Sequence, residues 1–519
     1  MKSIGIVWAQ FGPYHFARAA ALQRLVGAEN AVAFEIANRT SVYAWKRPGV
    51  EVNLITLCPG SVFEEASLPA VFWSARRELS KSGISVCLIP GYYPLQLLAV
   101  LLAAKSLGIK TVMMNEGHAG TARARGLVAL VKRRLVGLFD AALVGGEPQK
   151  RYAAALGIPS HKIFTGYDAV DNDYFVQMAS QIRSREPAHL DTRAKRESSP
   201  SPREERAGRG PGRGAALKHT KDDTITPLPN PLPIRPSWGE GTRLQHPSVR
   251  ESSCAQPELR SQYELPAHYF LSLGRFVAKK NLTTLIRAYH QFLQNNSRRQ
   301  THLVMVGSGE EETNLRALCG ELQLPVYEKS QAGTAKSACS SSAGDAESQP
   351  GVHFYGFRQI DENPIFYALA EAFVLPSSFE EWGLVVNEAM ACGLPVIVSQ
   401  KVGCAEDLLV RGKWDVEPGD ECARDIEILR LAGQMRVNGI SFDPDSIEEL
   451  GHALLLLDSH PELRDTLGAN SRRIIAGYSC DNFARNALLA VGAALGEKFE
   501  QPAKMTARIL QAEPTSTSR

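Results

Sequence analysis

One unit, running from Ala372 to Ser399, restricts the fold more than any other part of the chain. Ala372-Phe-Val-Leu375 is a short apolar run of the kind buried on both faces of a parallel sheet, and Val396-Ile-Val398 is a second. Between them the pattern predicts a helix over Leu384–Cys392, opened by Gly383. Two parallel strands cannot be joined by a tight turn; they need a crossover, and a helical crossover makes a layered α/β domain.

The same alternation recurs along the chain. Strands are expected at Ile4–Ala9, Ala31–Ile36, Val52–Leu57, Ile84–Ile89, Thr111–Met114 and Ala141–Val144, with helices such as Phe16–Val26, Tyr93–Leu107 and Arg125–Leu138 between several of them. A second series places strands at Tyr269–Leu273, His302–Val306, Val352–Tyr355, Ala372–Leu375 and Val396–Val398. Its helices are Leu282–Phe292, Glu311–Glu321, Asn363–Leu369 and Leu384–Cys392. The expected architecture is therefore α/β, two Rossmann-like doubly wound domains facing across a cleft, and 519 residues suit two such cores.

The 372–399 unit also carries chemistry. Glu380 and Glu388 stand in an E-x7-E spacing around Gly383, at the C-terminal end of a strand, where open α/β sheets bind ligands. The amides that open a helix after Gly383 suit a pyrophosphate, Glu380 before the helix suits sugar hydroxyls, and Glu388 inside it suits a ribose. Upstream, Phe270-Leu-Ser-Leu-Gly-Arg275-Phe-Val-Ala-Lys-Lys280 puts Arg275 and Lys280 just past another strand end. Two cations there offset the charge of a leaving diphosphate. Lys279 is the alternative to Lys280 in that role.

Pro376-Ser-Ser-Phe-Glu380-Glu-Trp-Gly-Leu-Val-Val-Asn-Glu388-Ala-Met-Ala-Cys-Gly393-Leu-Pro395 resembles the donor-site motif of retaining glycosyltransferases of family four, the glycosyl transferases group 1 with the GT-B fold. Gly274-Arg275 with Lys280 is similar to that family's G-R-x-x-x-x-K motif, Val306-Gly-Ser-Gly309 to its V-G-x-G loop, and Tyr355-Gly356-Phe357-Arg358 to its strand-end turn beside the nucleobase. The resemblance implies transfer of a hexose-like sugar from a nucleoside diphosphate sugar to an acceptor hydroxyl with retention, in surface polysaccharide or glycolipid synthesis. It implies Glu380 and His118 as the catalytic pair, and Arg275, Lys280, Glu388, Trp382, Gly383, Leu384, Phe357 and Gly12 as donor-binding groups. His118, after the strand at Thr111–Met114, is read either as lining the sugar site or as a loop histidine fixing Glu116. Gly12 is preferred to His15 in a first loop that holds one Gly where relatives are glycine-rich. Phe175 resembles a packing anchor at the domain junction. No cofactor and no metal are expected. The other classes weighed are a sugar-nucleotide epimerase and a non-catalytic scaffold of the same fold.

Composition bounds the partners. A net charge of +3 with 22% charged residues gives no reason to expect nucleic acid. Nine cysteines without a C-x-x-C pair suit reduced core thiols and a cytoplasmic setting. Leu95–Leu107, the longest apolar helix candidate, is too short to span a bilayer. The segment Arg123–Leu138 mixes five cations with apolar residues that include Leu127, Val128, Leu130, Val131 and Leu135. It reads either as a core-packing helix with a solvated basic face or as a peripheral contact with the inner face of the membrane, where a lipid-linked rather than a free saccharide acceptor would lie. The expected domains are 1–177 on the acceptor side and 263–480 on the donor side, then a helix over 481–500 and a flexible tail over 501–519. Residues 178–262, 329–349 and 413–437 are read as disordered insertions from their Arg, Pro, Ser and Gly content or from the way they split a motif.

Overall fold

The computed structural model describes residues 3–41, 47, 49–121, 126–185, 259–295, 300–328, 349–409 and 437–496. Most of the three expected insertions and the expected tail lie outside these residues. So do all of residues 187–256.

Among the described residues, fourteen strands form two sheets of seven. The N-terminal lobe holds β1 (Ser3–Trp8), β2 (Ala31–Glu35), β3 (Leu54–Thr56), β4 (Ile84–Ile89), β5 (Lys110–Asn115), β6 (Ala141–Val144) and β7 (Ile163–Phe164), in the order β3-β2-β1-β4-β5-β6-β7. The C-terminal lobe holds β8 (Tyr269–Leu273), β9 (His302–Val306), β10 (Val326–Glu328), β11 (Val352–Phe354), β12 (Ala372–Leu375), β13 (Val396–Ser399) and β14 (Gly439–Phe442), in the order β10-β11-β9-β8-β12-β13-β14. Every ladder is parallel, β1 pairing Gly5 with Val32 on one side and with Cys87 on the other. Each order reverses once, between β1 and β4 and between β8 and β12, and those two points set the crevices at the strand ends.

Central strands are buried on both faces, which explains their unbroken apolar runs. In the N-terminal lobe, Ile4, Ile6 and Trp8 turn to one face, against the helices Pro13–Val26 and Cys480–Leu495. Val7, Cys87 and Ile89 turn to the other, against the helices Leu68–Lys81 and Leu95–Ser106.

Two helices depart from the expected boundaries. The helix Asn172–Arg185 continues past 177, and its Phe175, Ala179 and Ile182 enter the core of the C-terminal lobe. Their spacing of three to four residues was hidden by the polar residues around them. The last helix, Cys480–Leu495, returns the chain to the N-terminal lobe, with Phe483, Ala487 and Val491 buried there. The two crossings run side by side, with a bridge between Val170 and Ser479 and Asn172 Nδ2 donating to the Ile475 carbonyl at 2.8 Å.

Candidate active site

The turn after β8 is built from the sequence upward. Gly274 takes a φ of +150°, which a side chain disfavours, and Gly307 after β9 packs so closely that a Cβ would lie 1.8 Å from the Gly274 oxygen. Phe276 N–H donates to Ser308 O at 2.8 Å, and Gly307 N–H donates to Gly356 O at 2.8 Å. The V-G-x-G loop, the Arg275 turn and the turn bearing Phe357 are thus tied along one sheet edge. Arg275 is exposed there, and Phe357 is 38% exposed.

Next to this edge, across the β8/β12 reversal, stands Glu380. Its carboxylate accepts from both lysines, Lys280 Nζ at 2.6 Å and Lys279 Nζ at 2.8 Å, and from Ser377 Oγ at 3.2 Å. Burial alone would raise its pKa, but the two ammonium groups outweigh burial and hold it below the usual carboxylate range. Lys279 also pairs with Glu381 at 3.0 Å, and its own pKa is raised: burial opposes the charge and the two carboxylates prevail. Both lysines weighed from the sequence therefore reach the carboxylate. Lys280 Nζ also lies 3.7 Å from where a Gly274 Cβ would stand, over the β8 turn.

The N-terminal lobe meets this cluster directly. His118 Nδ1 accepts from Gly120 N–H at 3.1 Å, which leaves Nε2 protonated to donate to the Glu380 carbonyl at 3.0 Å. Gln149 Nε2 donates to the Glu381 carbonyl at 2.8 Å. The His118 imidazole thus contacts the main chain of Glu380. Glu116 lies instead with Arg18 and Asp168, and burial raises the pKa of both acids.

Glu388 sits deeper than the E-x7-E spacing alone conveys. It is fully buried in the helix Leu384–Ala391, and its carboxylate accepts from Tyr367 Oη at 2.9 Å and from Tyr14 Oη of the N-terminal lobe. Burial raises its pKa to about 7 despite those donors. A ribose reaching Glu388 would replace one of the two tyrosines. Tyr14 was not foreseen as a partner; the two residues stand far apart in the sequence.

The remaining expected residues have structural partners as well. Trp382 is 1% exposed, donates to Asn387 Oδ1 at 2.9 Å and packs on Gly145, where a Cβ would lie 2.8 Å from the indole. Gly383, at φ +101°, opens the helix that begins at Leu384. Gly12 opens the helix Pro13–Val26, and its N–H donates to His15 Nδ1 at 3.0 Å. His15 stacks on Trp8, and burial together with Arg18 lowers its pKa to about 3. The geometry thus brings Lys279, Lys280, Glu380 and His118 to one spot, with Arg275 and Phe357 along the adjoining edge, Glu388 beneath, and Gly12 occupied as a cap.

Residues 267–434 match the family model described as Glycosyl transferases group 1. Among curated proteins, an uncharacterized glycosyltransferase of Methanocaldococcus jannaschii is 34% identical over 146 residues, 28% of this chain and 30% of that protein. The O-antigen chain mannosyltransferase B of Escherichia coli is 27% identical over 138 residues, 27% of this chain and 30% of that protein. The matches thus span under a third of either relative. Among solved structures, Anabaena Alr3699/HepE in complex with UDP and glucose aligns with 94% of this chain and 98% of its own, at a TM-score of 0.54 and 14% identity. At that identity the likeness is one of fold, and the fold is GT-B.

Proposed function

From the premise that this chain carries a glycosyl transferases group 1 domain, we propose that it is a retaining glycosyltransferase using a nucleoside diphosphate sugar. The observation that carries the reading is the clustering of Lys279, Lys280 and Glu380 at the reversal point of the C-terminal sheet, against His118 of the other lobe. A carboxylate held between two cations suits a donor in two parts. The diphosphate takes up the lysines and Arg275, and the freed Glu380 carboxylate accepts from the sugar hydroxyls.

In the reaction the acceptor oxygen forms its bond to the anomeric carbon on the face the diphosphate leaves. The diphosphate departs with the bonding electron pair, and one of its oxygens takes the acceptor proton. Lys279, Lys280 and Arg275 stabilise the charge that develops on that oxygen as the bond breaks. His118 positions Glu380 through its carbonyl. Cationic side chains stand where another fold uses a metal ion, so transfer is expected to persist in EDTA.

A thermal-shift screen with UDP-, GDP- and ADP-sugars tests the donor reading without an acceptor. At least one donor raises the melting temperature of the wild type, and Lys280→Ala abolishes that rise. A protein that responds to no donor refutes the reading and favours a non-catalytic scaffold. Interconversion of the sugar without release of a nucleoside diphosphate would favour an epimerase.

A further inference from the structure

Eleven large apolar side chains are exposed among the described residues, and eight of them lie on or next to three helices of the N-terminal lobe. These are Leu68–Lys81, Leu95–Ser106 and Leu127–Val136. Each crosses in the same direction along the sheet order, from β3 to β4, β4 to β5 and β5 to β6, and right-handed crossovers therefore put all three on one face. Trp73 is 65% exposed on the first, Leu95 54% on the second and Val128 63% on the third. In the third helix Val136 is buried, whereas Val128, Leu130 and Val131 all face solvent. Packing within the lobe therefore gives no reason for these apolar residues.

Charge narrows the occupant. The three helices carry seven Lys and Arg residues and one acid, Glu78. Glu78 pairs with Arg77 and Lys105 pairs with Asp140, yet the excess stays strongly positive. Lys132, Arg133 and Arg134 follow directly on the exposed Val131. The centre of a protein–protein interface is depleted of charge, whereas interleaved cations and apolar side chains suit a headgroup layer.

We propose that this three-helix face docks on the surface of an anionic lipid bilayer. None of the described helices is long and apolar enough to cross a membrane, so the contact is peripheral. The three helices run against the strands, which puts their first turns at the strand-end edge from which Tyr14 and His118 reach the other lobe. Docking would bring the mouth of the crevice to the headgroups. If the chain is a transferase as proposed above, its acceptor is then a saccharide carried on a lipid; that step rests on the transfer reading, and the docking does not.

Flotation of the full chain with vesicles tests the surface by itself. The protein should float with phosphatidylcholine vesicles containing phosphatidylglycerol, float poorly with phosphatidylcholine alone, and be released by salt. The double variant Val128→Ser, Val131→Ser should lower partitioning on the order of tenfold. Trp73→Ser, on a separate helix, should lower it as well, and Arg133→Glu, Arg134→Glu about fivefold for each cation lost. Absence of flotation with anionic vesicles overturns the proposal, as does flotation unchanged by all these substitutions. A dimer in sedimentation velocity that the same substitutions dissociate would assign the face to a second copy and overturn it too.

Discussion

Glu388→Gln isolates the energetic cost of one buried carboxylate. Glu388 has no solvent exposure, and its pKa stands at about 7 against an ordinary 4.5. Burial disfavours the anion, and the hydroxyls of Tyr14 and Tyr367 recover part of that loss. A carboxyl whose pKa is raised on folding holds its proton more tightly in the fold than in the unfolded chain. Its ionisation therefore costs stability as pH climbs from the unfolded value towards 7, and the full cost is present above that. Glutamine keeps the shape and an acceptor oxygen but does not titrate. Between pH 5 and pH 8 the wild type should lose roughly 2–3 kcal/mol relative to the variant, from 1.36 kcal/mol per pKa unit. Asp407, Glu116 and Asp168 are shifted in the same direction but are present in both proteins, so they cancel in the difference. Urea unfolding of both proteins at pH 5, 6, 7 and 8 measures it. A difference that stays flat across this range, or that grows in favour of the wild type with rising pH, would refute the reasoning.

Three further outcomes follow. Glu380→Gln removes the carboxylate that holds Lys279 and Lys280, so it should bind the free nucleoside diphosphate about tenfold more tightly, by the worth of one charge-assisted hydrogen bond, while losing most transfer; calorimetry and a product assay separate the two effects. Gly145→Ala places a Cβ 2.6 Å from Asp168 Oδ2 and 2.8 Å from the Trp382 ring, and should cost about 1–3 kcal/mol in a denaturation titration. Arg151→Ala breaks the pair with Glu406 between the lobes, but both side chains are at least half exposed, and its effect on stability should stay within about 1 kcal/mol.

The central strands were legible because a strand buried on both faces must be apolar throughout, and Phe373, Val374, Ile397 and Val398 are. The edge strands Val326–Glu328 and Ile163–Phe164 were not, since both are short and leave no periodic signal. The Lys–Glu cluster was legible in kind, since residues 279, 280 and 380 lie at strand ends that the α/β pattern brings to one edge. What escaped was set by tertiary packing. Tyr14 reads as an ordinary helix-start residue, and only the approach of the two lobes gives its hydroxyl to Glu388. Trp382 in the motif suggests a ligand contact, while its indole is committed to Asn387 and to the bare backbone of Gly145.

The crossed helices make the two lobes inseparable as folding units. Cutting the gene after residue 177 would strip Cys480–Leu495 from the N-terminal sheet and sever Asn172–Arg185, whose Phe175 and Ile182 fill the other core. Each half would thus be born with an uncovered oily flank that only the opposite end of the polypeptide can clothe. Because the two straps lie alongside one another at Val170 and Ser479, any relative swing of the halves must pivot near that doubled seam. A ligand wedged between them would be gripped by jaws that share a spine.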